Sequence, residues 1–175
     1  RMRAPSSIIG SRQRPRMSAS LTARWTRPER PATRRTTSAA TGEGVARQEA
    51  LKDRLRHYGM RMVGPNCLGL LNADPEISLD ATFAPTFPPF GSVAFSSQSG
   101  ALGLAILDHA RQLGVGISQF VSMGNQADVT ASELIEYWEQ DAATGVILLY
   151  MENLGDPRKF MDVARRVSRS KPIAV

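Results

Sequence analysis

From residue 92 onward, short apolar runs rich in β-branched and aromatic residues alternate with longer runs of helical period. The pattern predicts strands at 92–96, 117–122, 145–151 and 172–175, separated by helices at 100–113, 130–140 and 156–169. Strands spaced by helices of this length cannot pair as hairpins. They form a parallel sheet covered on both faces, an open doubly wound α/β architecture. The run "GVILLYM" is apolar at every position but its first, as a strand buried on both sides should be. Four strands can be counted where open sheets with the flavodoxin-type strand order usually have five, so the sheet is expected to be incomplete.

The rest of the chain divides by composition. Residues 1–42 are rich in Arg, Pro, Ser, Thr and Ala, with few periodic apolar positions, and are read as disordered or non-native sequence. They also explain the pI of about 10.2. Residues 1–40 hold ten arginines against one acid, Glu29, a balance of +9, whereas residues 41–175 hold twelve bases and fifteen acids, a balance of −3. The ordered part is therefore mildly acidic, which argues against nucleic acid as a partner. From "GEGVARQEALKDRLRHYG" a helix is expected, with Val45, Leu51, Leu55 and Tyr58 near one face and Gly59 as its C-cap. "MRMVG" then reads as a short strand and "PNCLGLLNADP" as turn and loop, and the proline-rich "APTFPPFG", residues 84–91, as a linker. A single cysteine, Cys67, indicates a reducing compartment, the cytoplasm. No apolar stretch reaches the roughly 18–20 residues that span a bilayer, so no membrane partner is expected.

In open parallel sheets, ligands bind beyond the carboxyl ends of the strands. Three segments lie there: "SSQSG" at 96–100, "SMGNQADV" at 122–129 and "ENLGDP" at 152–157. The first precedes a helix directly. Ser97 and Ser99, with the N–H groups of Gly100 and Ala101, have the chemistry to cradle a phosphate; a helix cap made by Ser97 or Ser99 is the simpler alternative. Gly124 is read as a turn glycine, with Asp128 or Thr130 as the cap of the next helix. Glu152 follows an apolar strand directly, which puts its carboxylate at the sheet rim, either partnered or solvated. His57 and His109 read as surface or packing residues, and Cys67 as a small packing group with no histidine to activate it. Metal-ligand spacing, a Walker loop and a nucleophile elbow are all missing from the sequence.

Taken in order, "GMRMVGPNCLGLLN", "FSSQSGALG", "FVSMGNQADV" and "VILLYMENLGDPRKF" resemble the NDP-forming acyl-CoA synthetases, the superfamily of the succinyl-CoA synthetase alpha subunit. The resemblance covers residues 43–175. It implies the end of a CoA-binding Rossmann domain over 43–83 and a flavodoxin-like ligase domain over 92–175. It also implies an enzyme that interconverts acyl-CoA, phosphate and ADP with carboxylate, CoA and ATP through a phosphohistidine on a loop downstream of "KPIAV". Acyl-CoA and phosphate are the implied small-molecule partners, CoA, ATP or ADP and magnesium the implied cofactors, and an ATP-grasp domain or subunit the implied protein partner. By the same resemblance, Ser97, Gln98, Ser99, Gly100 and Ala101 match the phosphate-binding turn, and Glu152 matches the glutamate that pairs with the active-site histidine. Asn66, Cys67, Gly124 and Asn125 match loops lining the pocket. The same architecture also resembles a regulatory module fused to protein lysine acetyltransferases, which is the alternative reading. The family's glycine-rich CoA fingerprint has no counterpart in residues 1–42.

Overall fold

The computed structural model describes residues 42–175; the reading of residues 1–41 lies outside the described residues. A helix, α1 (Gly42–His57), is followed by two short strands, β1 (Gly69–Asn72) and β2 (Leu79–Thr82). The alternating part then runs β3 (Phe90–Ser97), α2 (Gly100–Gln112), β4 (Ile117–Ser122), α3 (Ala131–Gln140), β5 (Val146–Tyr150), α4 (Pro157–Val167) and β6 (Ile173–Ala174). All six strands join one sheet in the order β2-β1-β4-β3-β5-β6. The four strands expected from the sequence are all present. Their spatial order, second-first-third-fourth, is that of a flavodoxin-like doubly wound sheet, and every pairing among them is parallel.

Side chains alternate across this sheet as the pleat requires. Ala94, Val121, Ile147 and Leu149 face α3 and α4, where they pack with Ile135, Trp138, Phe160, Val163 and Val167. Phe95, Ile117 and Phe120 face the other way, against Leu107 and Ala110 of α2. Phe95 and Phe120 contact each other with ring centroids 5.2 Å apart. Helices thus cover both faces, as a doubly wound topology demands. Where α2 meets the sheet, Gly103 is required: a Cβ there would lie 2.8 Å from the Phe120 ring.

Two local readings change. "MRMVG" is not a strand. Its backbone is tied irregularly to the loop after β4, with the Val129 N–H donating to the Met62 carbonyl (3.1 Å) and the Ala127 N–H to the Gly64 carbonyl (2.9 Å). Conversely, "GLLN", within the segment read as loop, is a strand that pairs antiparallel with β4 and with β2, so the sheet is mixed and not wholly parallel. Four residues that begin with a glycine and end on the first residue of an Asn-Ala-Asp-Pro turn are too few to display a period, and the strand exists because β4 and β2 pair with it. The expected helix at residues 42–57 is present, with Gly59 at φ +61° just beyond it. However, none of its residues is buried, Val45 and Leu51 included, and Tyr58 just beyond it is exposed as well. Ion pairs one turn apart, Arg47–Glu43, Lys52–Glu49 and Arg56–Asp53, run along it.

Trp138 is the largest fully buried side chain; its indole N–H donates to Gln119 Oε1 (3.1 Å) and its carbonyl accepts from Lys171 Nζ (2.6 Å). Trp138→Ala is predicted to cost about 3–5 kcal/mol in urea unfolding, against about 0.5 kcal/mol or less for Tyr137→Ala on the exposed side of the same helix. Equal losses at the two positions would contradict this core.

Candidate functional site at the sheet rim

The strand register brings the expected residues to one edge. Ser97 at the end of β3 lies opposite Ser122 of β4 and Tyr150 of β5, and Ser122 lies opposite Gly69 of β1. Because β1 is antiparallel, it begins where its neighbours end. The strap of residues 60–68 that precedes it therefore reaches the same rim as the loops after β3, β4 and β5. The crossover from β3 to one side and from β4 back to β5 makes this the topological switch point of the sheet.

The polar cluster "SSQSG" resolves into separate jobs. Ser96 is buried and donates to the Val121 carbonyl (3.1 Å). Ser97 is fully buried, and its hydroxyl donates to the Ser99 carbonyl (2.7 Å), bending the chain into the helix. Ser99 is the N-cap of α2, in extended conformation, its Oγ accepting from the Leu102 N–H (3.4 Å). Gly100 and Ala101 form the first turn, where backbone N–H groups have no intrahelical acceptor. Gly100 is partly exposed and Ala101 exposed. A Cβ on Gly100 would meet Leu68 at 3.6 Å, so the strap closes one side of this turn. The Leu68 N–H donates to Ser122 Oγ (3.0 Å).

Asn66 and Gly124 are in direct contact. Gly124 has φ +53°, and a Cβ there would lie 2.5 Å from the Asn66 carbonyl oxygen and 2.3 Å from that of Pro65, so this approach requires glycine. Asn66 is exposed, with φ +58°, just beyond the cis Gly64–Pro65 peptide. The Asn125 N–H donates to the Pro65 carbonyl (2.9 Å), and its side-chain amide donates to Gln48 of α1 (3.3 Å). Cys67 is half-buried, its Sγ 3.5 Å from the Val63 carbonyl. Glu152 is exposed, two residues past the end of β5. The structure thus gathers every expected site residue at one rim. His57 and His109 are elsewhere. His57 packs edge-on against Tyr58, and His109 sits in the last turn of α2, about 13 Å along the helix from Gly100 at about 1.5 Å per residue.

Arg61 and Gln126 also shape the rim, although nothing in the sequence singled them out. Arg61 pairs with Asp128 (3.0 Å) and Glu133 (2.8 Å), and the Met62 N–H donates to the Asp128 carboxylate (2.6 Å). Asp128 is therefore a strap anchor, and Thr130 is the cap of α3, in a capping box with Glu133. Gln126, at φ +50°, accepts the Ala131 N–H and donates to the Asn153 carbonyl (3.1 Å). A cleft between α1 and residues 127–128, lined in part by Lys52, Arg56, Arg61 and Asp128, contains none of the expected site residues. Among the described residues no group of three or more His, Cys, Asp or Glu is placed to hold a metal, and no helix is long and apolar enough to cross a membrane.

Comparison with known proteins identifies the family. Residues 90–175 match the family described as the succinyl-CoA ligase like flavodoxin domain. The chain belongs to the NDP-forming acyl-CoA synthetase superfamily. It is 47% identical over 133 residues to an ADP-forming acetate–CoA ligase I of Archaeoglobus fulgidus, covering 76% of this chain and 19% of that protein. It is 43% identical to the alpha subunit of the corresponding Pyrococcus furiosus enzyme, over 76% of this chain and 28% of that subunit. The solved acetyl-coenzyme A synthetase 1 of Ca. Korarchaeum cryptofilum, in complex with phosphate and ADP, superposes with a TM-score of 0.70 at 44% identity, covering 74% of this chain and 28% of that one. The chain spans less than a third of the length of each of these proteins.

Asp128 and Glu133 are both shifted. Burial pushes each carboxyl up, but the Met62 N–H and Arg61 for Asp128, and Arg61 with Thr130 for Glu133, together outweigh it and leave both below the usual carboxylate range. A carboxylate with a lowered folded-state pKa adds stability above its unfolded value, near pH 4, and loses it as the pH falls through the folded value. Arg61 is well exposed, so solvent screens the pair. Asp128→Ala is predicted to cost about 1–2 kcal/mol at pH 7, mostly through the lost strap contacts, and the cost should shrink as the pH falls from 5 to 3. Urea unfolding at the two pH values checks this; an equal loss at both would contradict a charge-dependent anchor.

Proposed function

We propose that this chain is part of an NDP-forming acyl-CoA synthetase, in which it supplies the phosphate-binding rim for the interconversion of acyl-CoA, phosphate and ADP with carboxylate, CoA and ATP. The observation that carries this reading is the first turn of α2, whose Gly100 and Ala101 N–H groups face the switch point of the sheet beside the Glu152 loop. The backbone amides and the positive end of the helix favour an anion there, and glycine lets it approach closely. Ser99 adds a hydroxyl, while Ser97 holds the turn from inside and Gln98 ties it to the Glu152 loop.

In this reading Glu152 orients the imidazole that carries the phosphoryl group and raises its basicity, and that histidine comes from a segment other than those bearing His57 and His109. Asn66, Cys67, Gly124 and Asn125 wall the same pocket. Residues 43–83 are the end of a CoA-binding Rossmann domain in this reading. CoA would be held chiefly by that domain, and the nucleotide with its magnesium by an ATP-grasp domain or subunit acting in the cytoplasm. The relative whose solved structure holds phosphate and ADP, and the relative that is a separate alpha subunit, support this division of labour.

The test is a titration with inorganic phosphate followed by backbone amide shifts. The Gly100 and Ala101 amides are expected to respond with about millimolar affinity, roughly −4 kcal/mol. Ser99→Ala and Gly100→Val should weaken binding, the valine by crowding the approach. Glu152→Gln should tighten it about two- to fivefold by removing a like charge from the rim. Unresponsive Gly100 and Ala101 amides in a folded sample would reduce the cluster to a helix cap and overturn the reading.

A further inference from the structure

Gln98 is expected among the phosphate ligands, yet both ends of its side-chain amide bond elsewhere. Its Oε1 accepts both the Glu152 N–H and the Asn153 N–H, each at 2.9 Å, and its Nε2 donates to the Asn153 carbonyl. Its own N–H donates to the Tyr150 carbonyl (3.0 Å), the last residue of β5. Two amide hydrogens on one side of the carboxamide and a carbonyl on the other fix which end is oxygen and which is nitrogen. Gln126, from the loop after β4, donates to the same Asn153 carbonyl. Two glutamines from different loops thus grip the one segment that carries Glu152. That segment has little else to hold it: Glu152, Asn153 and Gly155 are exposed, and Leu154 is only partly buried.

From this geometry we infer that Gln98 is a positioning residue that holds the Glu152 carboxylate at the rim by clamping the backbone on which it sits, and that Gln126 supports it. This rests on the functional reading above, in which Glu152 faces the phosphate turn. The chemistry favours glutamine. A neutral amide supplies two acceptor bonds and one donor bond to peptide groups without adding a charge beside the anion. A glutamate here would keep the acceptor bonds but lose the donor and repel phosphate. A lysine or arginine would offer no acceptor for two N–H groups.

Two measurements test the inference on the chain itself. In hydrogen exchange, Gln98→Ala should speed the Glu152 and Asn153 amides by about tenfold or more and leave Ile147 and Leu149 of β5 unchanged, whereas Gln98→Glu should keep those two amides protected. Identical exchange at Glu152 and Asn153 in wild type and Gln98→Ala overturns the clamp. So does the same loss of protection in Gln98→Glu. Should the alanine variant fail to fold, Gln98→Ser gives the same comparison with a side chain too short to reach. The second measurement separates positioning from general loosening. The phosphate tightening produced by Glu152→Gln should fall from about two- to fivefold in wild type to no change in a Gln98→Ala background, while Gly100 and Ala101 still respond to phosphate. The same tightening in both backgrounds overturns the positioning role. Should phosphate not bind at all, the anion reading fails on its own, and the exchange experiment still decides whether Gln98 is a clamp.

Discussion

The three strand-borne loops of the candidate site depend on the pairing of β3 with a parallel strand on each side. Ser97, Ser122 and Tyr150 end their strands in one hydrogen-bonded row, so three loops leave the sheet together and in the same direction. The bond from the Met123 N–H to the Ser97 carbonyl (2.8 Å) and that from the Gln98 N–H to the Tyr150 carbonyl (3.0 Å) continue the row one residue into the loops. Since a register slip of one residue would exchange the two faces of β3, burying Ala94 and Phe95 on opposite sides fixes the register and with it the rim. The stability of the core and the geometry of the site are therefore one constraint, and Gly103 sits where they meet. It lets α2 press close on Phe120, which keeps the first turn of the helix at the rim.

The fourth wall is built differently. The strap at residues 60–68 comes from outside the alternating pattern and reaches the rim because β1 runs antiparallel to β4. Val63 and Leu68 pack against the core, and the rest of its hold is polar: Arg61 on Asp128 and Glu133, Met62 on Asp128, and three backbone bonds from residues 125, 127 and 129. Polar ties through exposed groups are individually weak, so this wall should yield before the three strand-borne loops do.

How far the sequence could be read follows from the same distinction. The strands and helices from residue 90 onward were legible because each buries a face and so shows a period, and the rim loops were legible because their positions follow from strand direction. β1 was missed because a four-residue strand is too short to carry a period. The "MRMVG" strand was expected because Met and Val look β-like, although their partners turned out to be loop peptides and a carboxylate. Gln98 was assigned by its place within the serine cluster. Its actual partners lie 54 and 55 residues away, and no local pattern encodes them. Arg61 and Gln126 share that fate.

The composition of the rim adds a last step. Among residues 64–68, 97–101, 122–126 and 151–155 there is no lysine or arginine, and the single charged side chain is Glu152. An anion placed at Gly100 and Ala101 is thus met by peptide dipoles and a hydroxyl, with a carboxylate nearby. Such a site cannot hold phosphate tightly. A cation would bind an anion uniformly, which deepens a ground state without favouring one geometry of charge over another. Fixed amides cost little to reorganise and reward a particular geometry of negative charge. A carboxylate beside them opposes the anion and keeps such binding weak. The electrostatics of the rim, mildly acidic and without lysine or arginine among these residues, are those of a weak anion site built on peptide dipoles.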